Sequence, residues 1–213
     1  MNKAFQRRYG GLLSQSHPEI NGKEIAAYVR GNHRWTRTAR LSYNVFVRIE
    51  GMRRTLMTPT RVFIHGLEST SQGTKGIYFR ERYPEMIIED YIGSLDARME
   101  KVEAVLAGKE ELILVGSSYG GLMAAIYACR HQEKVRRLIL LAPAINLDEF
   151  EPYAGRGLTM PVHLYHGRQD DVVPPEEVRP VAERTFNDLT YCLVEDDHSL
   201  HETFPEMPWE ELL

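Results

Sequence analysis

Five residues near the middle of the chain, Gly116-Ser117-Ser118-Tyr119-Gly120, combine a nucleophile with the backbone freedom to expose it. They fit the pattern Gly-x-Ser-x-Gly, in which a serine sits on a sharp, strained strand-to-helix turn and flanking glycines relieve the crowding. Only Ser118 fits as the centre, because Ser117 would need glycine where Val115 stands. The chain's own Gly and Ser frequencies would produce the pattern by chance in roughly one such chain in twenty, so its placement decides its meaning. A serine hydroxyl is a weak nucleophile at neutral pH. It needs a histidine to accept its proton and a buried carboxylate to hold that histidine in the right tautomer and stabilise its cation. The rival reading is a phosphate cradle at a helix N-terminus. A P-loop would end in Gly-Lys-Ser/Thr, and a dinucleotide site would carry Gly-x-Gly-x-x-Gly near the first strand; neither pattern is present.

The elements around the motif alternate regularly. Arg61 to His65 reads as a short apolar strand, Gly73 to Tyr83 as a helix stopped before Pro84, and Met86 to Asp90 as the next strand. Leu95, Met99, Val102, Val105 and Leu106 recur at helical spacing between a Ser94 N-cap and Gly108. Leu112 to Gly116 is wholly apolar, and Gly121 to Arg130 is apolar on nearly every side, as a helix buried against a sheet would be. Three more strands follow at Leu138 to Ala142, Val162 to His166 and Thr190 to Val194, with a helix from about Pro175 to Arg184. Strands alternating with helices imply a parallel sheet covered on both faces. In such a sheet the carboxyl ends of the strands share one edge, where ligands bind, so residues far apart in sequence can meet there. The helix after Ser118 would aim its free N–H groups at a reacting carbonyl, with the Tyr119 N–H as one donor.

With these motifs in this order, the chain resembles the α/β-hydrolase superfamily over residues 61 to about 205. His65-Gly66-Leu67 is similar to that family's His-Gly oxyanion loop, which implies the Leu67 N–H as a second donor and a structural role for His65. His166-Gly167-Arg168-Gln169-Asp170-Asp171-Val172-Val173-Pro174 is similar to its acid loop and selects Asp170. Asp171 is the adjacent rival, expected to point the other way, and Asp148 the distant one. Asp197-His198-Ser199-Leu200 resembles the histidine loop and selects His198 over His201. The resemblance implies an α/β-hydrolase fold with a mostly parallel central sheet and helices on both faces. Only about 17 residues separate Ala142 from Met160, too few for the helical cap of larger relatives. The implied protein resembles small cap-less bacterial serine esterases that cleave a carboxylic ester or thioester. Phe150 and Tyr153 are expected to flank an acyl or alcohol pocket. Glu195, Asp196 and Asp197 are expected on a solvated loop face near His198. The chemistry requires no metal or organic cofactor. A peptidase, lactonase or acyltransferase would use the same three residues, and a hydrolase-like binding protein would need none of them.

Composition narrows the setting. The 213 residues are 43% hydrophobic with a net charge of −4, which suits a globular catalytic domain over residues 58–213. Residues 1–57 form a basic extension with a β-hairpin expected at 43–57, where Tyr43, Val45, Val47 and Ile49 alternate before Gly51. Residues 1–60 carry a balance of +8 and the remainder −12. Arg30, Arg34, Arg37 and Arg40 show no recognised binding motif, so nucleic acid is not an expected partner. Met57 is an alternative start. The longest nearly unbroken apolar stretch, Leu138 to Ile145, is less than half of the ~20 residues that span a bilayer. Polar residues Asn2, Lys3, Gln6, Arg7 and Arg8 interrupt any signal sequence. Cys129 and Cys192 are expected to be reduced core residues. A cytoplasmic location and a small-molecule acyl substrate follow as expectations.

Overall fold

The computed structural model describes residues 58–213; the basic extension, its hairpin and the Met57 start lie outside the described residues. Among the described residues six strands form one parallel sheet in the order β2-β1-β3-β4-β5-β6. They are β1 (Thr60–Ile64), β2 (Ile87–Ile88), β3 (Leu112–Ser117), β4 (Val135–Leu141), β5 (Val162–Gly167) and β6 (Leu189–Val194). The helices between and after them are α1 (Thr74–Arg82), α2 (Leu95–Leu106), α3 (Tyr119–Arg130), α4 (Pro175–Thr185), α5 (Thr203–Glu206) and α6 (Trp209–Leu212). Parallel strands must be joined by crossovers, and these helices supply them while covering both faces.

Alternation along each strand explains the two cores. Val62, Ile64, Leu112, Leu114, Leu138, Leu140, Val162 and Leu164 face one side and pack with α2, α3 and α4. Phe63, Ile113, Val115, Ile139 and Leu141 face the other, against Phe79 of α1, Phe204 of α5 and Trp209 of α6. The Phe79 ring meets those of Phe204 and Trp209 edge-on at 5.4 and 4.8 Å, the arrangement that aromatic quadrupoles favour. Helix α3 is buried along almost its whole length, as its uniformly apolar sequence requires.

Several placements differ from the sequence expectation. The strand expected over Met86 to Asp90 shrinks to Ile87–Ile88, because it lies at the sheet edge and pairs with β1 only at Val62 and Phe63. Helix α3 starts at Tyr119, two residues early, since the glycines are its first turn. Phe150, expected at a pocket, is fully buried within a 3₁₀ turn, Asp148–Tyr153, and belongs to the core. No helix among the described residues is long and apolar enough to cross a membrane. Cys129 is buried, Cys192 half-buried, and both are free.

Candidate active site

Strand β3 delivers Ser118 at its carboxyl end with φ 54° and ψ −118°, left-handed backbone that costs a non-glycine residue of order 1 to 3 kcal/mol. The surroundings hold it there. Its N–H donates to Leu141 O at 2.8 Å, and its carbonyl accepts from Gly121 N at 2.8 Å and Ala144 N at 3.1 Å. The glycines are spatial necessities. A Cβ on Gly116 would lie 2.5 Å from Gly120 O, and one on Gly120 would fall on the carbonyl oxygen of Ile64.

His198 and Asp170 arrive from the loops after β6 and β5. His198 Nε2 lies 3.0 Å from Ser118 Oγ, and Nδ1 lies 2.7 Å from Asp170 Oδ2. With Nδ1–H donating to the carboxylate, Nε2 presents its lone pair to the serine hydroxyl. Asp170 is buried, and its Oδ1 accepts from Val172 N at 3.0 Å and Val173 N at 2.8 Å. Asp171, Asp148 and His201 are exposed and take no part in this chain of bonds. His201 instead pairs with Asp197 at 2.9 Å.

Several residues near the site were missed in sequence. His166 Nε2 lies 3.0 Å from Asp170 Oδ2 and 2.8 Å from Val173 O. Both are acceptors, so Nε2 carries the proton and donates to them together. Burial pushes the His166 pKa below the ordinary histidine value, although the Val173 carbonyl and Asp170 pull the other way. Asp196, expected on a solvated face, is instead buried and accepts from Asp197 N (2.8 Å), Glu202 N (3.1 Å) and Thr203 N (2.8 Å). Burial alone would raise its pKa, but these N–H groups hold it below the usual carboxylate value. An acidic run hid an inward carboxylate that shapes the His198 loop. Lys75 Nζ donates to Ser199 O at 2.6 Å and ties α1 to that loop. Burial pulls the Lys75 ammonium below the ordinary lysine range, with Asp197 and Asp196 opposing.

Ser118 and His198 open into a cleft of about 630 Å³ lined also by Leu67, Tyr119, Leu147, Val172 and Lys75. Leu67 and Tyr119 thus line the same cleft as the serine, and Tyr119, as the first residue of α3, has no intrahelical partner for its N–H. His65 lies behind them. It is buried, its Nδ1–H donates to Gly66 O at 2.7 Å, and its Nε2 accepts from Tyr91 N at 3.0 Å, a structural role. Phe150 and Tyr153 do not line the cleft. The 3₁₀ turn points Phe150 into the core, while the Tyr153 hydroxyl accepts from Arg130 at 2.7 Å. From that same loop it is Asn146 and Leu147 that reach the cleft.

Comparison with known proteins agrees with this architecture. A sequence-family model for the alpha/beta hydrolase fold matches residues 69–158, a span that includes Ser118 and ends before Asp170. No curated protein matches the chain in sequence. Among solved structures, mouse alpha/beta hydrolase domain-containing protein 10 is similar at 24% identity and a TM-score of 0.59, over 70% of this chain and 85% of that one. Est1E from Butyrivibrio proteoclasticus, solved with ferulic acid bound, aligns at 18% identity and TM-score 0.59 over 73% and 86%. A monoacylglycerol lipase from Paleococcus ferrophilus aligns at 17% identity and TM-score 0.54 over 72% and 95%. The described residues have the α/β-hydrolase fold, with no cap domain evident among them.

Proposed function

We propose that this protein is a cytoplasmic serine hydrolase that cleaves a small carboxylic ester or thioester through an acyl-enzyme. The observation that carries the reading is the unbroken chain from Ser118 Oγ through His198 to Asp170, at 3.0 and 2.7 Å, on a serine held at positive φ. His198 takes the Ser118 proton as Oγ attacks the acyl carbonyl, and returns it to the leaving alcohol or thiol. Asp170 stays ionised and balances the imidazolium. The N–H groups of Leu67 and Tyr119 receive the oxyanion, a contribution of about 2.7 to 4 kcal/mol for each donor in comparable sites. Water, activated by His198, then releases the acid.

The rim supports an apolar substrate. Leu67, Leu147 and Val172 are 53%, 37% and 64% exposed, and all three line the cleft. They are three of the five exposed large apolar side chains among the described residues, and apolar surface concentrated at a cleft marks binding. Each buried methylene contributes about 0.8 kcal/mol, so kcat/KM on p-nitrophenyl esters is expected to rise several-fold from acetate to butyrate or hexanoate. A profile that falls from acetate onward removes the apolar-substrate reading. The function itself is tested with a fluorophosphonate probe followed by intact mass. The expected outcome is one adduct on the wild type and none on Ser118→Ala; a folded wild type that does not label ends the proposal.

A further inference from the structure

Helix α2 turns one charge inward. Arg98 is 5% exposed, and its hydrogen bonds go to backbone carbonyls: Nε to Gly93 O at 3.0 Å and Nη2 to Leu67 O at 3.3 Å. Its Nη1 is buried without a hydrogen-bond partner among the described residues. The guanidinium carbon stands 5.6 Å from the centre of the Tyr119 ring, within reach of a cation–π attraction. A buried cation held by carbonyls and a ring face is costly to keep. Packing alone would be served by an apolar residue of similar volume.

What Arg98 touches explains its presence. Leu67 and Tyr119 are the two residues whose N–H groups meet the oxyanion in the mechanism above, and Arg98 contacts both from behind. Leu67 lies in a short loop in which Gly66 O accepts from His65 Nδ1 at 2.7 Å and from Ser69 N at 3.4 Å, and its own side chain is exposed. Arg98 thus holds the peptide on the carboxyl side of Leu67, the one adjacent to the peptide that carries the donor N–H. We propose that Arg98 is a positioning residue for the oxyanion site: it holds the Leu67 carbonyl, packs against the Tyr119 ring, and places beside the two donors a positive charge that has no carboxylate partner among the described residues. In a site of low dielectric such a charge favours the oxyanion over the neutral carbonyl, which is differential binding of the transition state. The inference rests on the serine hydrolase reading.

The test compares wild type, Arg98→Met and Arg98→Lys, using a p-nitrophenyl ester and an alkylboronic acid that forms a tetrahedral anionic adduct on an activated serine. Methionine keeps the aliphatic stem and removes the charge. Arg98→Met is expected to lower kcat about 10- to 100-fold, leave KM within about twofold, and weaken boronate binding by the same factor as kcat. Arg98→Lys, which keeps the charge but cannot span both carbonyls, is expected to fall between the two. A purely structural arginine would lower the melting temperature without the matched loss of kcat and boronate affinity. If Arg98→Met does not fold, Arg98→Lys decides, and unchanged kcat and boronate affinity in whichever variant folds overturn the proposal. A wild type that neither labels with fluorophosphonate nor binds the boronate overturns the hydrolase reading and this inference with it, whereas a labelling wild type with indifferent variants overturns only this one.

Discussion

At the scale of single residues the site is a set of buried polar groups that define one another's protonation. Asp170 has three donors besides His198, from two backbone N–H groups and His166. Replacing it with Asn would leave the shape but favour the wrong His198 tautomer. Asp170→Asn is expected to lower kcat about 10⁴-fold, with fluorophosphonate labelling slowed in parallel; a loss under tenfold would deny Asp170 its role. His166 carries a stability consequence. Its pKa is lowered in the folded protein from the ordinary 6.5, first by burial, so the unfolded chain binds the extra proton first as pH falls. Stability is therefore expected to decline as pH drops below about 6.5. Urea midpoints at pH 7.5 and 5.5 should show a smaller drop for His166→Gln than for wild type. An equal drop would assign the effect to other groups.

Elements were legible in the sequence where burial is complete and obscure where a polar residue faces inward. The runs of β3 and β4 and the all-apolar α3 announce a buried parallel sheet, and the glycine spacing announces the elbow because no Cβ fits there. Arg98 was hidden by its charge. Position 98 falls on the stripe of Leu95 and Val102 at helical spacing, so an arginine there was the available signal. Asp196 was lost in an acidic run, and its partners are backbone N–H groups seven residues or fewer ahead, which composition does not display. Phe150 and Tyr153 were assigned to a pocket from loop position alone, whereas a 3₁₀ turn sets their direction. Gly120→Ala would drive a Cβ onto the end of β1 and is expected to lower the melting temperature by at least ~3 °C or to prevent folding, measured by thermal unfolding of soluble protein. Burial in α3 pushes the Cys129 thiol up to about 11. Alkylation by iodoacetamide at pH 8 should therefore reach Cys129 only on unfolding; rapid labelling of the native protein at this position would contradict its burial.

For the whole molecule, every residue of the proposed mechanism falls within 58–213, together with the six strands of the described sheet. A chain beginning at residue 58 is expected to fold and to react with fluorophosphonate at a rate within about threefold of the full chain. Loss of labelling would assign the preceding residues a part in the site. With no cap domain above the cleft among the described residues, an acyl group on Ser118 would be attacked by whatever nucleophile diffuses in, and water is by far the most abundant. Added alcohols should divert product into new esters only in proportion to their concentration, with no saturation, so that the partition between acid and ester reports an acceptor site open to bulk solvent.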